Sequence, residues 1–123
     1  MSIKILGQTK GPGADATDVV YEVPAGKAAV ISTIAVCNRS AAIVQYWIAT
    51  VTSVERQNDP QHPETFGQPI IPDKAWIIYD AGLAANGTDY HTVGITLSTG
   101  SAVIVQCADT ISINLYGEEI NQT

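Results

Sequence analysis

The sequence is poor in charge. Only 15% of its 123 residues are charged. Six are Lys or Arg and twelve are Asp or Glu, which gives a formal net charge of −6. The basic residues are scattered, whereas nucleic-acid binding needs clustered Lys and Arg that displace counterions from phosphates. We therefore expect no nucleic-acid partner. With 46% hydrophobic residues, so low a charge favours a protein that buries surface against other proteins.

Long apolar runs are also missing. No run approaches the length of a membrane span, and the N-terminal sequence MSIKILGQTKG is too polar for a signal peptide. We therefore expect no membrane partner and synthesis in a cytoplasm. The two cysteines, Cys37 and Cys107, each lie in an apolar strand-like run and are expected to be buried, reduced thiols. A disulfide between them remains an alternative.

Residues that carry chemistry are few. His62 and His91 are the two histidines, and neither has a second His or Cys at the short spacing of a metal site. His91 is expected at the rim of the core, bonded to backbone. Asp89 is assigned to a turn, and Glu118 with Glu119 to an exposed sheet edge that their charge protects. A G-x-S-x-G nucleophile motif and a phosphate-binding loop are also absent. We therefore expect no enzyme activity, cofactor or metal.

What the sequence has in quantity is short, β-branched apolar segments. Residues 111–116 alternate, with Ile, Ile and Leu on one face and Ser, Asn and Tyr on the other, which is typical of a half-buried strand. Strands are predicted over residues 2–8, 18–23, 28–38, 41–51, 74–81, 89–97, 102–107 and 111–116. Eight short strands without a helical period predict one all-β domain over residues 1–123, an antiparallel two-sheet sandwich of jelly-roll type.

The connections carry further expectations. Residues 28–38 are nearly continuous in apolar side chains, which predicts a central strand covered on both faces. Residues 41–51 are expected to return as its hairpin partner. Asn86-Gly87 is the strongest turn signal in the chain.

Two stretches lack strand character. Residues 1–17 are predicted to be an N-terminal arm and flexible loop that docks at a sheet edge or on a neighbouring subunit. Residues 52–73 contain four of the six prolines and form a long loop, either functional or a tolerated insertion. We expect partner contacts from both stretches, at these side chains: Ile3, Ile5, Arg56, His62, Phe66 and Ile70.

Aromatic residues leave a second class of function open. Tyr46 and Trp47 are adjacent in a strand, so their side chains point to opposite faces. At least one therefore faces away from the core, where Trp47 and Trp76 could stack on a sugar. Filling of the core or of a subunit interface is the alternative role for such rings.

Four motifs resemble one family of proteins. They are residues 21–27 (YEVPAGK), 34–39 (IAVCNR), 94–97 (GITL) and 114–120 (NLYGEEI). In this order they resemble small β-sandwich proteins encoded among the virion structural genes of tailed bacteriophages. The similarity spans nearly the whole chain except residues 52–73, where those proteins are shorter.

The resemblance implies a non-enzymatic part of a virion. Within it, the position could be that of a capsid decoration (cement) protein, a head fibre, or a tail or collar adaptor. The partners would be other copies of itself, for instance in a trimer, and the major capsid or tail proteins. A receptor- or glycan-binding module of a fibre or tail is the alternative.

Overall fold

Alternating apolar side chains build the strands of this protein. In the computed structural model, which describes residues 3–63 and 66–121 and only the backbone of residues 14 and 15, Ile111, Ile113 and Leu115 are fully buried. The residues between them are partly exposed, as the alternation predicts. The eight strands are β1 (Lys4–Lys10), β2 (Gly13–Glu22), β3 (Lys27–Asn38), β4 (Val44–Val51), β5 (Trp76–Leu83), β6 (Thr88–Leu97), β7 (Ala102–Cys107) and β8 (Ile111–Asn121), and a 3-10 turn, Asp73–Ala75, precedes β5.

The strands form two four-stranded sheets. The front sheet has the order β1-β8-β3-β6 and the back sheet the order β2-β7-β4-β5. All neighbouring strands are antiparallel, and successive strands alternate between the sheets except at β4 and β5. The main hydrophobic core lies between the sheets. This confirms the all-β, two-sheet sandwich of jelly-roll type with eight strands.

The predicted hairpin of residues 28–38 with 41–51 is wrong, because β3 and β4 belong to different sheets. Asn38 stabilises the connection between these two strands, because its buried amide donates to the carbonyls of Ala42, Leu83 and Ala84. Its Oδ1 accepts from the backbone N–H and the hydroxyl of Ser40. The β3–β4 connection is thus fastened to the β5–β6 connection, where Asn86-Gly87 makes the predicted turn.

The prediction of a flexible loop over residues 9–17 is also wrong. β1 runs to Lys10 and β2 begins at Gly13, so only two residues cross from one sheet to the other. At Gly11 a Cβ would lie 2.0 Å from the carbonyl oxygen of Ala108, so glycine permits a crossing too tight for other residues. Gly13 and Thr17 of β2 pair with two adjacent residues of β7, Cys107 and Gln106. The residues between Gly13 and Thr17 therefore form a bulge, which accommodates a segment whose composition does not suit a regular strand. From Lys4 onward the arm therefore docks on its own chain, as the edge strand β1 paired with β8, whereas Met1 and Ser2 lie outside the described residues.

β3 is central in the front sheet, as predicted, between β8 and β6. However, its outward-facing positions are mostly half-exposed, so it is not covered on both faces. β7 is the strand with that property, since five of its six residues are buried. The cover over its outer face comes from the long loop.

Candidate functional site

The β4–β5 loop, residues 52–75, folds over part of the outer face of the back sheet. Ala102 and Ile104 of β7 point away from the main core yet are fully buried. They form a second hydrophobic cluster with Val51 and with loop residues Val54 and Ile71, to which Val19 and Ala75 also belong. Burying this apolar surface stabilises the loop in place. The loop is therefore a cover of the sheet, a role that the sequence did not indicate.

Residues 52–73 form a long loop whose described residues include no regular strand, and its two arms contact each other. Arg56 and Pro69 form an isolated antiparallel bridge. Next to it, the N–H of Gly67 donates to the carbonyl of Gln57 at 2.8 Å. The Thr17 hydroxyl in β2 donates to the carbonyl of Pro69 at 3.0 Å. The prolines of the loop have no backbone N–H to donate. The carbonyl of Pro69 can still accept, and its hydrogen bond with Thr17 joins the loop to the edge of the sheet.

The tip of the loop is polar and exposed. His62 Nδ1 lies 3.0 Å from a carboxylate oxygen of Asp59, with both side chains at least half-exposed. The other oxygen of Asp59 accepts from the N–H of Gln61, and Arg56 donates to the carbonyl of Gly67 at 2.9 Å. Such short-range bonds fix the shape of a turn. The side chains of Arg56 and His62 thus both contact atoms of the loop itself.

A groove opens between the loop and the end of β4. Its volume is about 370 Å³, and mixed polar and apolar groups line it: Thr50, Val51, Thr52, Ser53, Glu55, Ile70, Pro72, Lys74 and Ala75. A second shallow depression lies at the loop tip and shares Ile70 with the first. Ile70 is 44% exposed and Phe66 is 57% exposed. The loop therefore presents two of the predicted contact residues as accessible apolar side chains.

The six predicted contact residues divide between the two sheets. Ile3 precedes β1, Ile5 lies within it, and both side chains are exposed. This is the edge of the front sheet, whereas Arg56, His62, Phe66 and Ile70 belong to the loop on the back sheet. The structure thus supplies two separate surfaces, and we call them the β1 edge and the β4–β5 loop.

Three aromatic rings meet on the outer face of the back sheet beyond the loop cover. Tyr46 is fully buried and Trp47 is half-exposed, which confirms that they point to opposite faces. The rings of Trp47 and Tyr79 are 6.3 Å apart, and those of Trp76 and Tyr79 are 5.6 Å apart, both nearly perpendicular. We call Trp47, Trp76 and Tyr79 the aromatic cluster.

Irregular pairing of β5 creates this cluster. Residues 76 and 79 would face opposite sides of a regular strand, because the side-chain period is two. Ile48 and Ala49, which are adjacent, pair with Ile78 and Trp76, so Ile77 is an extra residue in β5. Such a bulge re-aims the side chains beside it. The sequence contains no glycine at this point, so nothing in the pattern signals the bulge.

Glu119 lies near the end of β8, past Gly117, where the pairing with β1 begins. β8 runs between β1 and β3, and Glu119 accepts from the Tyr21 hydroxyl at 2.7 Å and from Lys4 Nζ at 3.1 Å. These two hydrogen bonds lower the pKa of the Glu119 carboxyl. Burial and the carboxylate raise the pKa of Tyr21. We call Lys4, Tyr21 and Glu119 the terminal latch, since it joins β1, β2 and β8.

A second polar group joins β4 to β6. The Tyr46 hydroxyl lies 2.9 Å from a carboxylate oxygen of Asp89 and 2.6 Å from His91 Nε2. His91 is at the rim of the core as predicted, but its partner is this hydroxyl and not backbone. Asp89 lies in β6, not in a turn. Burial, with a further contribution from Asp89, raises the pKa of Tyr46, so the hydroxyl stays protonated and links the sheets.

Both cysteines are free thiols in the structure, and the expectation that both are buried holds for Cys107 alone. Cys107 lies in the core, where burial raises its pKa to about 11, while Cys37 is only partly buried. Among the described residues, no three His, Cys, Asp or Glu side chains are grouped so as to hold a metal ion. Within the same residues, no helix has the length and apolar character needed to cross a membrane.

Comparison with known proteins adds no relative. The chain matches no family model, no curated protein and no solved structure. The similarity of its four motifs to virion proteins of tailed phages therefore stays a prediction. What the structure shows is the class of the chain: an all-β protein whose eight strands form two antiparallel four-stranded sheets.

Proposed function

We propose that this protein is a structural component of a tailed-bacteriophage particle, a capsid decoration (cement) protein that stabilises the shell through protein–protein contacts. The observation that carries the proposal is the exposed apolar surface of a chain with little charge. Large apolar side chains are accessible on both sheets and both surfaces defined above: Ile3, Ile5, Ile43, Phe66, Ile70, Ile77, Tyr79, Tyr90 and Ile120. Such surface favours association.

The outer face of the front sheet supports the same proposal. Cross-strand partners share a face, and two adjacent rows of four partners carry no charge: Gln8, Asn114, Ala35 and Tyr90 in one, and Ile5, Tyr116, Thr33 and Thr92 in the other. These two uncharged rows can be buried against protein without desolvating ions. They suit repeated contact with other copies of this chain or with major capsid or tail proteins.

The β4–β5 loop offers a second contact surface on the opposite sheet. Phe66 and Ile70 are accessible there, next to the groove of about 370 Å³. A protein that bridges two shell subunits needs two surfaces facing different ways, and binding at both makes the shell more stable as occupancy rises.

Mass spectrometry of purified particles encoded together with this chain tests the proposal. We expect the protein in the virion, at on the order of hundreds of copies for a symmetric capsid position. About a dozen copies would move it to the tail or collar. In solution we expect a homo-oligomer by gel filtration with light scattering. A monomer that is absent from particles would overturn the proposal.

A further inference from the structure

The backbone beside the aromatic cluster adopts a conformation that most residues with a Cβ avoid. Asp80 has φ of 53°, in the left-handed region that residues with a Cβ rarely occupy. Tyr46 pairs with Ala81 and Ile48 with Ile78, so two residues of β5, Tyr79 and Asp80, lie opposite Trp47. This is a second bulge within the same strand. Distortions of this kind concentrate at binding sites.

The effect of the two bulges is to display aromatic rings away from the core. Tyr79 is 68% exposed, and the two tryptophan rings that contact it, Trp47 and Trp76, are partly exposed. Their edge-to-face contacts hold all three rings in fixed orientations. A rigid aromatic surface loses little conformational entropy when a ligand binds to it.

Asp80 adds a polar group to this surface. Its side chain is exposed, and within residues 3–63 and 66–121 it makes no hydrogen bond or ion pair. A carboxylate beside an exposed ring can accept two hydrogen bonds from neighbouring hydroxyl groups. The net charge of −6 disfavours an anionic ligand.

We propose that Trp47, Trp76, Tyr79 and Asp80 form a binding site for a neutral saccharide. The apolar C–H face of a pyranose ring packs on the aromatic rings, and the Asp80 carboxylate accepts hydrogen bonds from its hydroxyl groups. A protein partner fits less well, because interface centres are depleted in Asp and an unpaired buried carboxylate is costly. The site does not depend on the particle role proposed above.

Titration by NMR tests the site directly. The indole N–H signals of Trp47 and Trp76 are followed during addition of glucose, galactose, mannose and N-acetylglucosamine, and of their disaccharides and tetrasaccharides. We expect both signals to shift with at least one of these neutral sugars, with a dissociation constant of about 1 mM or lower. Sialyllactose, which is anionic, is expected to bind more weakly.

Matched variants assign the binding to the cluster. Tyr79→Ala is expected to weaken binding at least about tenfold, which corresponds to losing one stacked ring. Asp80→Asn should weaken it several-fold while keeping the backbone, since Asn tolerates positive φ. Tyr90→Ala removes an equally accessible tyrosine, 72% exposed on the front sheet, and should leave binding unchanged.

Two results would overturn the proposal. One is a folded protein whose indole signals do not respond to any sugar of the panel up to about 10 mM. The other is binding that Tyr79→Ala and Tyr90→Ala alter equally. If Tyr79→Ala instead removes the protein from particles and no sugar binds, the cluster is a protein contact. Sugar binding by a protein that particles lack would refute only the particle role.

Discussion

Gly117 in β8 and Gly94 in β6 differ in how much space there is for a Cβ atom at their positions. A Cβ at Gly117 would lie 2.0 Å from the carbonyl oxygen of Val30 in the paired strand β3, whereas at Gly94 it would meet nothing within 4 Å. Both glycines belong to motifs that resemble phage proteins. Only the first has a packing reason to be glycine.

We expect Gly117→Ala to lower the free energy of unfolding by more than about 3 kcal/mol, because β8 and β3 must separate to admit the methyl group. Gly94→Ala is the control and should be neutral or stabilise by up to about 1 kcal/mol through a less flexible unfolded chain. Urea denaturation followed by circular dichroism measures both. Equal effects would contradict the close approach.

Asn38 provides a second residue-scale prediction. Asn38→Ala removes a buried amide and leaves the carbonyls of Ala42, Leu83 and Ala84 without that donor, so we expect a loss of about 2–4 kcal/mol. Asn58→Ala, at an exposed position of the loop, should change stability by less than about 0.5 kcal/mol. Denaturation curves of the two variants distinguish the outcomes.

The terminal latch predicts how stability depends on pH. The pKa of Glu119 is lowered in the folded protein, so the unfolded chain binds its proton more readily. The ionised Glu119 carboxylate therefore adds to the free energy of unfolding. This stabilisation is fully present above the unfolded pKa of about 4.5 and is lost as pH falls through the lower folded pKa. We therefore expect the melting temperature to fall more steeply between pH 5 and 3, as an approximate range, in the wild type than in Glu119→Gln.

Glu118→Gln is the matched control for this prediction, because Glu118 is the neighbouring acid and lies on the other face of β8. Its melting profile should keep the wild-type slope. If the two variants have the same slope, Glu119 has no special part in acid unfolding.

At the scale of elements, two adjacent isoleucines of the β4–β5 loop have different roles: one packs against the sheet and the other is exposed to solvent. Ile71 packs in the second hydrophobic cluster, and Ile70 is 44% exposed. We expect Ile71→Ser to destabilise the protein by about 2 kcal/mol and to open the loop to proteolysis. Ile70→Ser should stay within about 0.5 kcal/mol of the wild type and, under the proposed function, should lower incorporation into particles. Limited proteolysis with particle mass spectrometry checks both; rapid cleavage of Ile70→Ser would contradict the assignment.

Elements also show what the sequence could and could not predict. The alternation in β8 identified its buried face, because side-chain period depends only on local geometry. The sheet exchange after β3 depends on the buried amide of Asn38, and the aromatic cluster depends on the bulges of β5. Both arise from pairing between distant segments, which a pattern along one chain does not contain. The loop cover was missed for the same reason: only the fold brings Ile71 to the second hydrophobic cluster, which contains Ile104.

At the scale of the whole molecule, the first and last strands are neighbours. β8 lies between β1 and β3, whereas β1 is at the edge of the sheet and, among the described strands, has β8 as its one partner. We expect removal of residues 111–123 to abolish folding, since β1 is then separated from the sheet and β3 keeps only β6 as a neighbour. Removal of residues 1–10 takes away an edge strand and should leave a folded but less stable protein. Circular dichroism and the dispersion of NMR signals show whether each truncated chain is folded. A folded chain without β8 would contradict the topology.

Both tryptophans of the chain lie in the aromatic cluster, on one face of the back sheet. Intrinsic fluorescence excited at the indoles therefore reports the environment of that face, and acrylamide quenching measures how accessible it is. Rearrangement confined to the front sheet, at β1 or β6, leaves this emission unchanged. Comparing the fluorescence transition with the far-ultraviolet dichroism transition thus tests whether the two sheets unfold as one cooperative unit.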